Sequence, residues 1–118
     1  MYKRQVQEHG RLKVVGNKVV NENNQPISLA GNSLFWSNFS EGAKFYNVQT
    51  VNHLVTDWKT DIVRASMGVE DYGGFISNPT REKNKVKAVV DAAINAGVYV
   101  IIDWHSHNAE QYLSLIHI

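Results

Sequence analysis

The chain has no cysteine, which removes disulfides, thiolate catalysis and cysteine-ligated metals from consideration. This leaves the compartment open, since many secreted enzymes do without disulfides. Neither charge is in excess: twelve Lys and Arg stand against eleven Asp and Glu, a formal net charge of +1. No basic surplus is left to neutralise a phosphate backbone or to hold an anionic surface, so neither nucleic acid nor membrane is expected as a partner. The longest apolar run, Val98-Tyr99-Val100-Ile101-Ile102, is far too short to span a bilayer. The opening residues Met1 to Gly10 contain no apolar h-region and do not read as a signal peptide. Repeats of solenoid period and low-complexity linkers are also missing.

What remains is a globular composition, 43% hydrophobic and 10% aromatic, in 118 residues, about the size of one small domain. Leu12 to Val15, the Gly16-Asn17 turn and Lys18 to Val20 read as a hairpin. A polar turn ending at Pro26 leads into Ile27-Ser28-Leu29-Ala30-Gly31, which reads as a strand. Asn47 is a fitting N-cap, and Val48, Val51, Leu54, Val55 and Trp58 follow at helical spacing. Asp61 to Met67 reads as a short buried strand, and Tyr72-Gly73-Gly74-Phe75 as a loop.

Asn78-Pro79-Thr80 opens a second helix. Val86, Val89, Val90, Ala93 and Ile94 mark its apolar stripe, and Gly97 suits its C-terminal end. Val98 to Ile102 is apolar on both faces, as in parallel sheets covered by helices. The order strand, helix, strand, helix, strand predicts an α/β fold with right-handed crossovers. A complete (β/α) barrel takes about 250 residues, so this chain would supply roughly three of its eight units. Leu113 to Ile118 begins apolar, carries no cap and stops; incompleteness is already expected from periodicity.

In (β/α) barrels functional groups sit at the C-terminal ends of strands. Arg64 closes one such strand and Asp103-Trp104-His105 the next. Arginine there could hold a carboxylate ionised by a bidentate hydrogen bond, or only bridge neighbouring strands. Histidine could bond a sugar hydroxyl or a second carboxylate, or only cap a strand. Trp36 and Trp104 are either sugar-stacking platforms or, more simply, core aromatics. His105 and His107 fall on one face if the strand continues, but zinc takes three or four ligands and no third is in view. Metal is therefore not expected. Glu70, Asp71, Asp103 and Glu110 read as solvated loop carboxylates, with no pairing that would separate an acid from a base. Gly73-Gly74 lacks the spacing of a phosphate loop.

Taken in order, several segments resemble a known family: Ala30 to Asn38, Asp57-Trp58-Lys59, Ile62 to Val69, Lys85 to Ile94, and Val100 to His107. Together they are similar to the N-terminal part of family 5 glycoside hydrolases of the bacterial endo-β-1,4-glucanase (cellulase) type, from about residue 10 to 112. The resemblance implies a (β/α)8 TIM barrel, here its N-terminal hairpin and about three β/α units. The whole of 1–118 would then be one truncated catalytic barrel with an atypical tail at 113–118, where the family continues into a charged amphipathic helix. It implies retaining cleavage of internal β-1,4 bonds, for which two carboxyl groups stand about 5–5.5 Å apart. In the family these are glutamates after strands four and seven, so neither catalytic residue is expected within the chain.

The resemblance assigns Arg64 to support of the nucleophile, His105 to the subsite where the bond is cut, and Trp36 to sugar stacking. It implies no cofactor, a polysaccharide partner, a secreted enzyme and a monomer when complete. Some relatives have a histidine where this chain reads Leu34-Phe35, and a tyrosine at the position of Gly68; a close subset shares the residues found here. Mannan or xyloglucan as substrate, and a non-catalytic carbohydrate-binding remnant, stand as alternatives.

Overall fold

A computed structural model describes residues 5–112; the tail at 113–118 lies outside the described residues. The elements run α1 (Gln5–His9), β1 (Lys13–Val15), β2 (Lys18–Val20), β3 (Gly31–Ser33), α2 (Ser40–Ala43), α3 (Val48–Asp57), β4 (Ile62–Gly68), α4 (Gly74–Ser77), α5 (Pro79–Ala96), β5 (Tyr99–His105) and α6 (Ala109–Tyr112). β1 and β2 form the expected antiparallel hairpin, with Val15 opposite Lys18. β3, β4 and β5 form a parallel sheet in that order.

The two long helices begin and end where the sequence signals. Asn47 accepts from the Thr50 amide at 2.8 Å, and Asn78 accepts from the Arg81 amide at 3.0 Å. Each cap satisfies a donor that the first helical turn leaves without a partner. Gly97 ends α5 with φ +75°, a left-handed residue whose amide reaches back to Ala93 and Ile94. That conformation is cheap for glycine and strained for other residues.

Alternation on β4 sorts the sheet into two faces. Val63, Ala65 and Met67 are buried with Val51, Leu54 and Val55 of α3 and Val86, Val89 and Ala93 of α5. Arg64, Ser66 and Gly68 turn the other way, because successive side chains on a strand point to opposite faces. The parallel register sets Ser33 beside Arg64, Asp103 beside Ser66 and His105 beside Gly68. The helix-free face of the sheet is therefore the polar one.

Three sequence expectations shift. The strand expected over 27–31 begins at Gly31. Pro26 cannot donate to a ladder, and Ile27 instead bonds Val19, finishing the hairpin. Val48, Trp58 and Ile94 are exposed rather than buried; Val48 and Trp58 lie at the ends of α3, where the packed stripe has run out. The expected loop at 72–75 turns into the short helix α4 at Gly74.

The N-terminal segment packs against the start of β5, at the end of the sheet opposite the polar side chains. Val6 donates to the Gly97 carbonyl at 3.0 Å, and the Tyr99 hydroxyl donates to the Gly10 carbonyl. That end is tied down by backbone contacts, and the C-terminal strand ends remain accessible.

Candidate functional site

Four side chains from three strands meet on the helix-free face of the sheet: Ser33 and His105 end β3 and β5, whereas Arg64, expected to close its strand, is the third of the seven residues of β4, because pairing with β5 continues to Gly68. Arg64 on β4 donates through Nη1 to Ser33 Oγ of β3 at 2.8 Å, and through Nη2 to Asp103 Oδ2 of β5 at 2.5 Å. His105 Nδ1 lies 2.7 Å from the same Asp103 oxygen. A carboxylate can only accept, so Nδ1 carries the proton in this contact and Nε2 is the ring atom left free. Arg64 Nη2 stands 3.2 Å from Nδ1; both are donors, and the shared carboxylate draws them together. Arg64, Asp103 and His105 are partly exposed, at 36%, 24% and 27%.

Trp36 forms the adjoining wall. Its ring stands edge-on to His105 at 4.5 Å and to His107 at 5.0 Å. It is 8% exposed, and so is largely a packed residue that borders the cleft. A cavity of about 310 Å³ lies between Trp36, Arg64, Ser66 and His105, with residues 33–35 completing its lining. Trp104 points to the helix side, where it meets Phe75 at 5.0 Å, and does not enter the cleft.

Two carboxylates differ from the solvated loop groups that the sequence predicts. Asp103 is the hub just described. Glu70 is buried, only 9% exposed, and accepts from the His107 amide at 2.8 Å. Burial alone would raise its pKa, but the Ser106 hydroxyl and the His107 amide outweigh burial and hold it below the ordinary value. The signal for Asp103 was available: Asp103 and His105 are two apart on one strand, and therefore on one face. The same argument fails for His105 and His107, because β5 ends at His105. Both rings instead pack on Trp36, 6.2 Å apart.

A second buried network fixes the segment that carries Trp36. Glu82 of α5 is fully buried; it accepts from Ser37 Oγ at 2.7 Å, Arg81 Nε at 2.7 Å and Lys85 Nζ at 3.1 Å. Lys85 also donates to the Ser37 carbonyl at 2.8 Å, and Ser37 Oγ accepts from the Gly68 amide at 3.0 Å. Burial pushes the Glu82 pKa up, yet Arg81, Ser37 and Lys85 together bring it below the ordinary value. Gly68 is needed here for a second reason: a Cβ would collide with Asn38 Oδ1. The Tyr46 hydroxyl ties this segment to β4, 2.7 Å from the Phe35 carbonyl and 2.9 Å from that of Ser66. Burial pushes its pKa to about 12. Nothing in local sequence announces Glu82 or Tyr46, whose partners are distant along the chain.

Known proteins resemble this chain in sequence and fold. The family model described as Cellulase (glycosyl hydrolase family 5) matches residues 20–116. Endoglucanase Z of Dickeya dadantii is 53% identical over 100 residues, covering 84% of this chain and 23% of that protein. A solved structure from Cytophaga hutchinsonii superposes with a TM-score of 0.89 at 46% identity, covering 95% of this chain and 36% of its own. A variant of the Thermobifida fusca endoglucanase Cel5A catalytic domain in complex with cellotetraose gives 0.81 at 26% identity, covering 96% and 37%. The chain thus spans about a quarter of the length of the curated relative and about a third of the solved chains. Its parallel sheet and covering helices are part of a (β/α)8 barrel. On the extent of the family match and the identity to endoglucanase Z, the chain belongs to the cellulases of glycosyl hydrolase family 5.

Proposed function

We propose that this chain supplies part of the active-site wall of a secreted, monomeric retaining endoglucanase that cleaves internal β-1,4 bonds of cellulose or related β-glucans. The observation that carries this reading is the Arg64–Asp103–His105 cluster on adjacent strands beside Trp36. Relatives named endoglucanases and the cellotetraose complex of one of them support glucan over other polymers.

In this reading Arg64 keeps the nucleophilic carboxylate ionised through charge and hydrogen bonding. His105, oriented through Nδ1 by Asp103, offers Nε2 to a sugar hydroxyl. Trp36 shapes the wall of the subsite. Cleavage itself needs two carboxyl groups about 5–5.5 Å apart, one attacking and one protonating the leaving oxygen. Neither carboxylate near this cleft is free for that work: Asp103 is held by Arg64 and His105, and Glu70 is buried against the His107 amide. As the family's pattern implies, the acid/base and the nucleophile are assigned to the remainder of the barrel. The 118-residue polypeptide alone is expected to release no reducing sugar.

The test is reducing-sugar release from soluble cellulose, mannan and xyloglucan by the longer enzyme that contains this chain. Cellulose should be cleaved best, and Arg64→Ala or His105→Ala should lower kcat by at least about 100-fold, with a smaller effect on thermal stability. Preference for mannan or xyloglucan would move the substrate assignment. Equal losses of turnover and stability would reduce both residues to a structural role.

A further inference from the structure

Ser37, the residue after Trp36, has every polar atom occupied. Its amide donates to the Ser66 carbonyl at 2.9 Å, and its carbonyl accepts from Lys85 Nζ at 2.8 Å. Its hydroxyl donates to Glu82 Oε1 at 2.7 Å and accepts from the Gly68 amide at 3.0 Å. Two of these partners belong to β4 and two to α5, so Ser37 is pinned between the sheet and a covering helix. Ser37 and Glu82 are both fully buried.

A buried carboxylate is a costly way to join two elements. Taking it out of water is unfavourable, and well-packed apolar residues in place of buried ion pairs often serve stability as well or better. What the charged acceptor adds is direction. It fixes the Ser37 hydroxyl, while Lys85, 3.1 Å from the carboxylate, reaches the carbonyl of the same residue. Arg81, at 2.7 Å, completes the neutralisation.

The neighbour of this anchored residue borders the cleft. The Trp36 ring meets His105 edge-on at 4.5 Å, with 89° between the planes. The hydrogen bond from Nδ1 to Asp103 fixes one atom of the His105 ring and not its plane. The edge of Trp36 supplies the second constraint.

We propose that Glu82 is a positioning residue for the cleft: through Ser37 it sets Trp36, and through Trp36 it sets the plane in which His105 presents Nε2 to the substrate. This rests on the glucanase reading above. Glu82 belongs to a covering helix and does not line the cavity beside His105. Its effect on turnover is carried by the two residues between.

The test is hydrolysis of soluble cellulose by the longer enzyme, by its Glu82→Gln and Ser37→Ala variants, and by the same two substitutions made on Trp36→Phe. Glu82→Gln keeps the shape of the side chain, and all assays run below the thermal midpoints of the proteins compared. Val89→Ala, in the packed core on the same helix, is the control for destabilisation alone and should keep its kcat. In the parent each substitution should lower kcat about 3- to 10-fold, with KM changed by less than about twofold. On Trp36→Phe the further loss should fall below about twofold, because substitutions along one route do not add. An undiminished kcat, a loss matched by Val89→Ala, or the same loss on Trp36→Phe as on the parent overturns the positioning role and leaves the glucanase reading in place. A parent enzyme that cleaves no cellulose overturns both.

Discussion

Asp103 accepts on one oxygen from both Arg64 and His105, so its removal acts on two functional groups at once. Without the carboxylate, His105 has no acceptor for Nδ1–H and its ring can turn or change tautomer. Arg64 also loses the partner that sets the height of its guanidinium above the sheet. In the longer enzyme Asp103→Ala should therefore lower kcat by about 10- to 100-fold, the loss of one hydrogen bond to a charged group worth about 1.5–3 kcal/mol. Asp103→Asn keeps an accepting oxygen and should recover part of that loss. The ¹⁵N shifts of the His105 ring supply the direct readout: protonated Nδ1 in the parent, a mixture of tautomers in Asp103→Ala. An unchanged ring signature alongside lowered activity would show that Asp103 acts through Arg64 alone.

Helix α5 carries a buried charge that does its work at the other end of a hydrogen-bond chain. Glu82 faces the cleft-bearing segment, and Arg81 and Lys85 close around it from the same helix. A carboxylate in the first turn also meets the positive end of the helix dipole. Because the folded pKa lies below the ordinary 4.5, the stability that Glu82 contributes is fully present above that value. It is lost as pH falls through the folded pKa. Glu82→Gln should then cost about 2 kcal/mol near neutral pH, the scale of a hydrogen bond to a charged group. Thermal midpoints of the two proteins should converge on acidification below 4.5. A constant gap down to low pH would mean that Glu82 matters for its shape and not for its charge. Glu70 is depressed in the same direction and adds to acid sensitivity in both proteins.

At the scale of the whole molecule, the chain is a slab. Its principal extents are 42 × 34 × 19 Å, and its radius of gyration is 15.3 Å, against about 13.5 Å for a compact domain of this length. Helices cover one face of the sheet, and no strand lies beyond β5 among the described residues. Ile101 and Ile102 are 47% and 63% exposed there. Beside them an apolar cavity of about 600 Å³ opens between Phe75, Val86, Val90, Ile102 and Trp104. An unpaired apolar strand edge is a template for association. The isolated 118-residue chain should self-associate, seen as excess scattering mass at micromolar concentration, and Ile102→Lys should reduce it. A monodisperse monomer with a sharp thermal transition would contradict this.

The sequence by itself determined what depends on neighbours within a few positions. Caps at Asn47 and Asn78, the left-handed stop at Gly97, the Gly16-Asn17 hairpin and the apolar periods of α3 and α5 are local choices. They are legible because helix and turn chemistry acts over one turn of chain. Strand order followed from them, and with it the placing of His105 at a strand end; Arg64 instead lies within β4, which runs on to Gly68.

Only the tertiary structure decided which side chains meet. Arg64 and Asp103 are 39 residues apart, Ser37 and Glu82 are 45 apart, and Asn38 reaches Asp71 across 33. Parallel register sets the first pair, and the packing of loops and of α5 against the sheet sets the other two; no short-range signal carries either. An acidic residue such as Asp103 or Glu70 looks solvated along the chain, and becomes a hub or a buried acceptor only when a neighbouring element presents donors. Tyr72 makes the same point in reverse: an aromatic residue whose composition suggests burial is held in water because distant Asn38 fixes the backbone beneath it.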